Sequence, residues 1–228
     1  MSVEWQLVFG WLAFGGTHVI GSTRLVRPHA IRLLGLRGFK AAYSVVALVT
    51  FGWLVVTYWG HRHAGEALFM PPTWGVHAAE AIMLLAFLLM GFGAAQPSAV
   101  TTLAELGAPV TKEPRGIQRI TRHPVGLGFG LIGIAHALVN TTTGDWIFWL
   151  GLPVFTLVAA LHQDARARAD DALRTFIEST SVLPFGAVAA GKQRVAWGEL
   201  SLVGGLAGLA VFVTLRLLHG SLIGGFGG

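Results

Sequence analysis

The chain has 228 residues, 54% of them hydrophobic and only 12% charged, and its mean hydropathy is +0.65. About a quarter of the residues in soluble domains are charged, so this is the composition of an integral membrane protein; its formal charge of +5 sits in cations between apolar runs and not on a basic face, which excludes a nucleic-acid partner. The sequence has no cysteine, which excludes disulfides, iron–sulfur clusters, thiolate-ligated haem and cysteine-rich zinc sites, so that any metal must be held by histidine, carboxylate or backbone.

A helix needs roughly 20 apolar residues to cross a bilayer core. Six runs meet that length: 4–22, 41–60, 74–95, 124–142, 145–163 and 196–218. The first has neither a basic leader nor a small-residue cleavage site and is expected to be a retained helix, not a signal peptide. After it, "RLVRPHAIRLLGLRG" (24–38) sets Leu25, Ile31, Leu33, Leu34 and Leu36 among four arginines, which predicts a short helix along the inner interface, in contact with lipid. Pro124 opens the fourth run, a position where its missing N–H costs nothing. Beyond the fifth run, "HQDARARADDALRTFIEST" (162–180) reads as a solvated cytoplasmic helix. The closing "GGFGG" (224–228) is expected to fray.

The cations alternate in their placement. Arg24, Arg27, Arg32, Arg37 and Lys40 follow the first run; Lys112, Arg115, Arg119 and Arg122 precede the fourth; Arg166, Arg168, Arg174, Lys192 and Arg194 follow the fifth. The other side has little beyond Arg62 and Arg216. By the positive-inside rule the three basic loops are cytoplasmic and both termini periplasmic. The expected fold is therefore all-α: a polytopic membrane helix bundle of about six transmembrane helices, a single domain over 1–228, multi-pass in a bacterial inner membrane. Glycines in "GLGFGLIG" (126–133) and "GGLAG" (204–208) let helices approach closely, within one chain or in an oligomer, or leave room for a flat cofactor.

Nine histidines are the informative feature. His61, His63 and His77 fall near the outer surface, His29 and His219 at interfaces, and His162 where the fifth run leaves the membrane. His123 stands at the inner mouth of the fourth run, with His136 about 20 Å above it at 1.5 Å per residue. His18 lies in the inner half of the first run. Imidazole in hydrocarbon needs a partner, so His18 and His136 are either hydrogen-bonded packing elements or ligands. Two neutral imidazoles on neighbouring helices suit the two faces of a haem iron, with Arg24 or Arg122 meeting the propionates. Zinc takes a third ligand, for which Glu80, three residues after His77, is the nearest carboxylate. On upright helices His18 and His136 differ in height by roughly 10 Å. Tilt closes that gap; otherwise His18 pairs with His123, and His136 with His77, giving one displaced haem or two.

Four blocks, "GTHVIGSTRLVRP" (16–28), "GLRGFKAAYSVVAL" (35–48), "GIQRITRHPVGLGFGLIGIAHAL" (116–138) and "SVLPFGAVAAGK" (181–192), occur in this order and resemble the NnrU family of membrane proteins over nearly the whole chain. That family is associated with bacterial denitrification and nitric oxide metabolism, and it is similar to the 15-cis-zeta-carotene isomerases of plants and cyanobacteria. The resemblance implies haem b held through histidines, and a cis double bond rearranged without net redox change. His18, His123 and His136 match the family's histidines, with His18 and His136 as the axial pair and one of them displaceable. The implied partner is a small hydrophobic polyene, or a small gas ligand competing for the same open position.

Two other classes stay open. "RHP" at the inner mouth of a span also looks like the start of the S-adenosylmethionine-binding motif of membrane methyltransferases of the isoprenylcysteine carboxyl type. There an aromatic residue stands two positions after the proline, where this chain has Gly126, and "DDAL" (170–173) only faintly echoes their paired glutamates. The third class is a cofactor-free assembly factor for a respiratory complex.

Overall fold

A computed structural model describes residues 1–101, 104, 107 and 110–223; the tail expected to fray, 224–228, lies outside the described residues. Eight α-helices are described: α1 (Val3–Gly21), α2 (Arg27–Gly60), α3 (Gly75–Ala95), α4 (Pro124–Ala137), α5 (Thr143–Ala167), α6 (Asp171–Ser179), α7 (Gly186–Ala189) and α8 (Leu202–Ile223). Among the described residues there is no strand, only one isolated antiparallel bridge between Ala67 and Thr142.

Among the described residues, four helices, α2, α3, α5 and the Leu202–Gly220 part of α8, are long and apolar enough to cross a membrane. α1 has 19 residues, but Glu4, Gln6, Thr17 and His18 keep its hydropathy below theirs. α4 has 14 residues and is about 21 Å long, short of a hydrocarbon core of about 30 Å. Local chemistry explains the shortened runs. After Ala137 the chain turns on Asn140, whose backbone N–H and side-chain amide both donate to the His136 carbonyl. Thr142 then caps α5, its hydroxyl accepting from the Asp145 N–H while the Asp145 carboxylate accepts from the Thr142 N–H. The last run begins late, at Leu202, because a 3₁₀ turn at Trp197–Glu199 precedes it.

Within α2 the arginine-rich residues 27–34, with Pro28 in the first turn, are a short helical stretch set off from the long apolar stretch 36–60 by a break at Gly35, whose φ of 68° and ψ of 166° are not helical and whose positive φ belongs to glycine; 24–26 form a turn before it. The polar stretch 162–180 is two elements: α5 runs on to Ala167, and α6 buries Phe176 and Ile177 against Val100 and Ala167.

The closest packing runs in the order α2, α1, α5, α4, α3, α8, so α1 and α4 each sit between two membrane-length helices. Many large apolar side chains, among them Leu48, Val56, Val154 and Leu217, point outward, as lipid contact requires. Where α3 meets α8 the backbones nearly touch: a Cβ on Gly91 would come within 2.2 Å of the Gly204 carbonyl oxygen. Gly133 does the same between α4 and α5, its missing Cβ lying 2.2 Å from the Trp149 carbonyl oxygen. Gly126, by contrast, faces open space.

Candidate functional site

The loop before α4 is tied down on two sides. Arg122 N–H donates to the Ser181 carbonyl, the Phe185 N–H to the Ile120 carbonyl, and the Thr121 hydroxyl to the Val182 carbonyl, so "RITRHP" docks along "SVLPF". On the other side Arg119 forks onto the Glu199 carboxylate through Nε and Nη2 and reaches Gln193 through Nη1. The Gly116 N–H also donates to Glu199. These donors, Arg119 foremost, pull the Glu199 carboxyl from its ordinary 4.5 down to about 2.

The loop delivers Arg122 and His123 to one buried carboxylate. Asp164, on the last turns of α5, is 1% exposed and accepts from Arg122 Nε and Nη2 and, at 2.8 Å, from His123 Nε2. Arg122 Nη1 completes the fork on the carbonyls of Ile177 and Thr180. A carboxylate only accepts, so Nε2 of His123 carries the hydrogen; in a neutral ring Nδ1 is then left with a lone pair. Nothing in the sequence singles out Asp164, one carboxylate in a mixed-charge stretch.

His18 reaches the same region from α1. Its ring lies 5.1–5.6 Å, centroid to centroid, from Phe14, Tyr43 and Phe155, and its buried Nδ1 has no hydrogen-bond partner among the described residues. The Tyr43 hydroxyl donates to the His18 carbonyl at 2.7 Å, which ties α2 to α1. Two adjoining cavities meet at this ring. One, of about 490 Å³ between α1, α2 and α5, is lined by His18, Tyr43 and His162 and by the cations Arg27, Lys40 and Arg166. The other, of about 200 Å³, has His18 and His123 on its walls together with Gly126 and Phe155. His18, Ala159 and Gln163 belong to both. His162, expected only to mark the end of a span, bonds Ser22 Oγ through Nε2 at 2.9 Å.

The other sequence candidates lie apart from this pair of cavities. His136 lines a separate cavity between α3, α4 and α8, together with Glu80, Arg216 and His219. Glu80 there pairs with Arg216 at 2.6 Å. His77 is exposed on the first turn of α3, and Arg24 is exposed between α1 and α2. No cluster of three or more histidine, aspartate or glutamate side chains able to hold a metal ion occurs among the described residues, so a zinc site with three protein ligands has no support.

A membrane helix bundle with a ring-walled cavity, bordered by cations at its basic end, is the class that this fold and site define. The chain belongs to the NnrU family: the family described as "NnrU protein" matches residues 6–225. It is 30% identical over 168 residues to the 15-cis-zeta-carotene isomerase, chloroplastic, of Arabidopsis thaliana, covering 71% of this chain and 45% of that protein. To the protein of the same name from Zea mays it is 25% identical over 174 residues, covering 75% and 47%. The chain thus spans about half the length of these relatives. No solved structure matches it.

Proposed function

We propose that this protein is a haem b-dependent isomerase that rearranges a cis double bond in a polyene, with the haem held by His18 and with His123 as the second ligand across the cavity they share. The observation that carries this reading is the His18 ring on the wall between two cavities, one of them shared with His123, its Nδ1 having no hydrogen-bond partner among the described residues. An unpaired polar atom in apolar surroundings is costly unless a ligand completes the site.

The donor set fits the group. Asp164 fixes the tautomer and orientation of His123, the usual support of a metal-bound imidazole. Arg27, Lys40 and Arg166 line the basic end, where propionates need cations, and Gly126 leaves space on the wall that His18 and His123 share. Of the pairings left open by the sequence, this shared cavity favours His18 with His123 over His18 with His136. Held by His18 and His123, haem would supply an iron able to interact with a polyene double bond or to take up nitric oxide. The chain's own part is to seat the hydrocarbon against Phe14, Phe51 and Leu48, to exclude water, and to hold His123 through Asp164. The protein's place is a bacterial inner membrane, its basic loops cytoplasmic.

Reduced-minus-oxidised spectra of protein purified with haem supplied test this directly. The expected result is the sharp bands of low-spin, bis-histidine haem b, changing to high-spin or lost haem in His18→Ala and in His123→Ala. A colourless wild type ends the reading. Unchanged spectra in both variants end the ligand assignment.

A further inference from the structure

The cavity around His136, of about 400 Å³, lies at the end of the bundle away from the basic loops and is not part of the site described above. His136 is oriented there by a ring stack and a hydrogen bond. Its ring stacks on Trp149 with centroids 3.8 Å apart and planes at 15°. Nδ1 lies 2.9 Å from the Ile132 carbonyl. Trp149 is itself pinned, its Nε1–H donating to the Tyr58 hydroxyl at 2.9 Å, and Tyr58 donates to Asp145, a fully buried carboxylate that also accepts from Thr142 and His63. Orientation of this ring therefore draws on α4, α5 and α2 together, the kind of support that a binding group has.

The chemistry of the cavity follows from those bonds. A carbonyl only accepts, so Nδ1 of His136 carries the hydrogen and Nε2 of the neutral ring is an acceptor left for whatever fills the cavity. Glu80 and Arg216 cancel each other's charge in their ion pair, so neither an anion nor a cation is selected, and the guanidinium offers further donors. Phe87 and Phe212, with ring centroids 6.4 Å apart, stand on the same wall. A purely hydrocarbon ligand would leave Nε2 unpaired. The fitting ligand is uncharged, flat, lipid-soluble and carries a hydroxyl hydrogen for Nε2 and an oxygen for Arg216. We propose that this cavity is a binding site for the head group of a quinol-class molecule, a dihydroxylated ring on an apolar tail. The inference stands independently of the haem reading.

The experiment is calorimetric titration of the purified full-length protein in lipid nanodiscs, with empty nanodiscs as blank. The probes are a decyl-substituted hydroquinone and its dimethyl ether, which keeps ring and tail but has no hydroxyl hydrogen. Saturable one-to-one binding of the hydroquinone is expected, with the ether weaker by about tenfold or more, the cost of an unmet buried hydrogen bond. His136→Ala and Arg216→Gln should each weaken the hydroquinone by about tenfold while leaving any haem spectrum unchanged; Arg216 is surface-exposed, so its variant guards against a misfolded His136→Ala. Equal binding of the two probes, no saturable binding, or undiminished binding in Arg216→Gln overturns the proposal. So does loss of haem in a folded His136→Ala, which would make His136 an iron ligand.

Discussion

Asp164 is shared by Arg122 and His123, both from the same two-residue step of the chain, and all three side chains are buried. A buried charge left alone is expensive, so truncating the carboxylate strands the guanidinium. Asp164→Ala should destabilise the protein by about 3–5 kcal/mol, read as a lower thermal midpoint in detergent. Replacing the ion pair with apolar groups, as Arg122→Met with Asp164→Leu, should restore much of that loss, because desolvation offsets most of the Coulombic gain in a buried pair. A double variant as unstable as Asp164→Ala would mean that the His123 bond, not the stranded arginine, dominates.

The same triad separates position from ligation. Asp164→Asn removes the charge beside His123 but keeps an acceptor of similar shape. If His123 holds haem, the variant should retain a low-spin spectrum with a reduction potential raised relative to wild type, since a less basic imidazole favours the ferrous state. Redox titration checks this, and an unchanged potential argues that His123 is not bound to iron.

Glu199 sets a pH window. Its folded pKa of about 2 lies below the ordinary 4.5, so the unfolded chain binds more protons in between. Stability from this contact is complete above the unfolded value and is lost as pH falls from about 4.5 through about 2. Between pH 5 and 8 it should be flat. Thermal midpoints of wild type and Glu199→Gln should therefore converge as pH falls from 5 to 2; parallel curves would mean that the fork from Arg119 does not anchor the loop in solution.

Gly91 and Gly204 are reciprocal. A Cβ on Gly91 meets the Gly204 carbonyl oxygen at 2.2 Å, and one on Gly204 meets the Gly91 carbonyl oxygen at 2.6 Å. Both neighbours are backbone and cannot swing aside. Gly91→Ala should cost about 1–3 kcal/mol by forcing α3 and α8 apart, measured by unfolding in mixed micelles, whereas Gly126→Ala, which meets nothing, should be near neutral for stability.

The distribution of cations predicts that a reporter inserted after Glu113 behaves as cytoplasmic and one fused after Gly228 as periplasmic. The reverse pattern would remove the membrane orientation from the reading.

Hydropathy by itself determined the class: a chain so apolar and so poor in charge forms membrane helices, because every backbone polar group in hydrocarbon must be satisfied within its own segment. Local signals also marked Pro124 as the start of α4 and the four blocks that carry the family. They marked six apolar runs, of which four form helices long and apolar enough to cross a membrane among the described residues; the fourth run is cut short because hydropathy averages over a window and does not register that Asn140 and Thr142 end one helix and cap the next. Nor did they show which histidines meet. His162 finds Ser22 across 140 residues of chain, and His18 shares one cavity with His123 while His136 faces another. Asp164 looked like surface charge among neighbours of both signs, yet the fold of 120–123 over 164 and 180 makes it the most buried carboxylate at the basic end. Periodicity and composition act along the chain; burial and pairing depend on which helices pack side by side, and only the tertiary structure decided that.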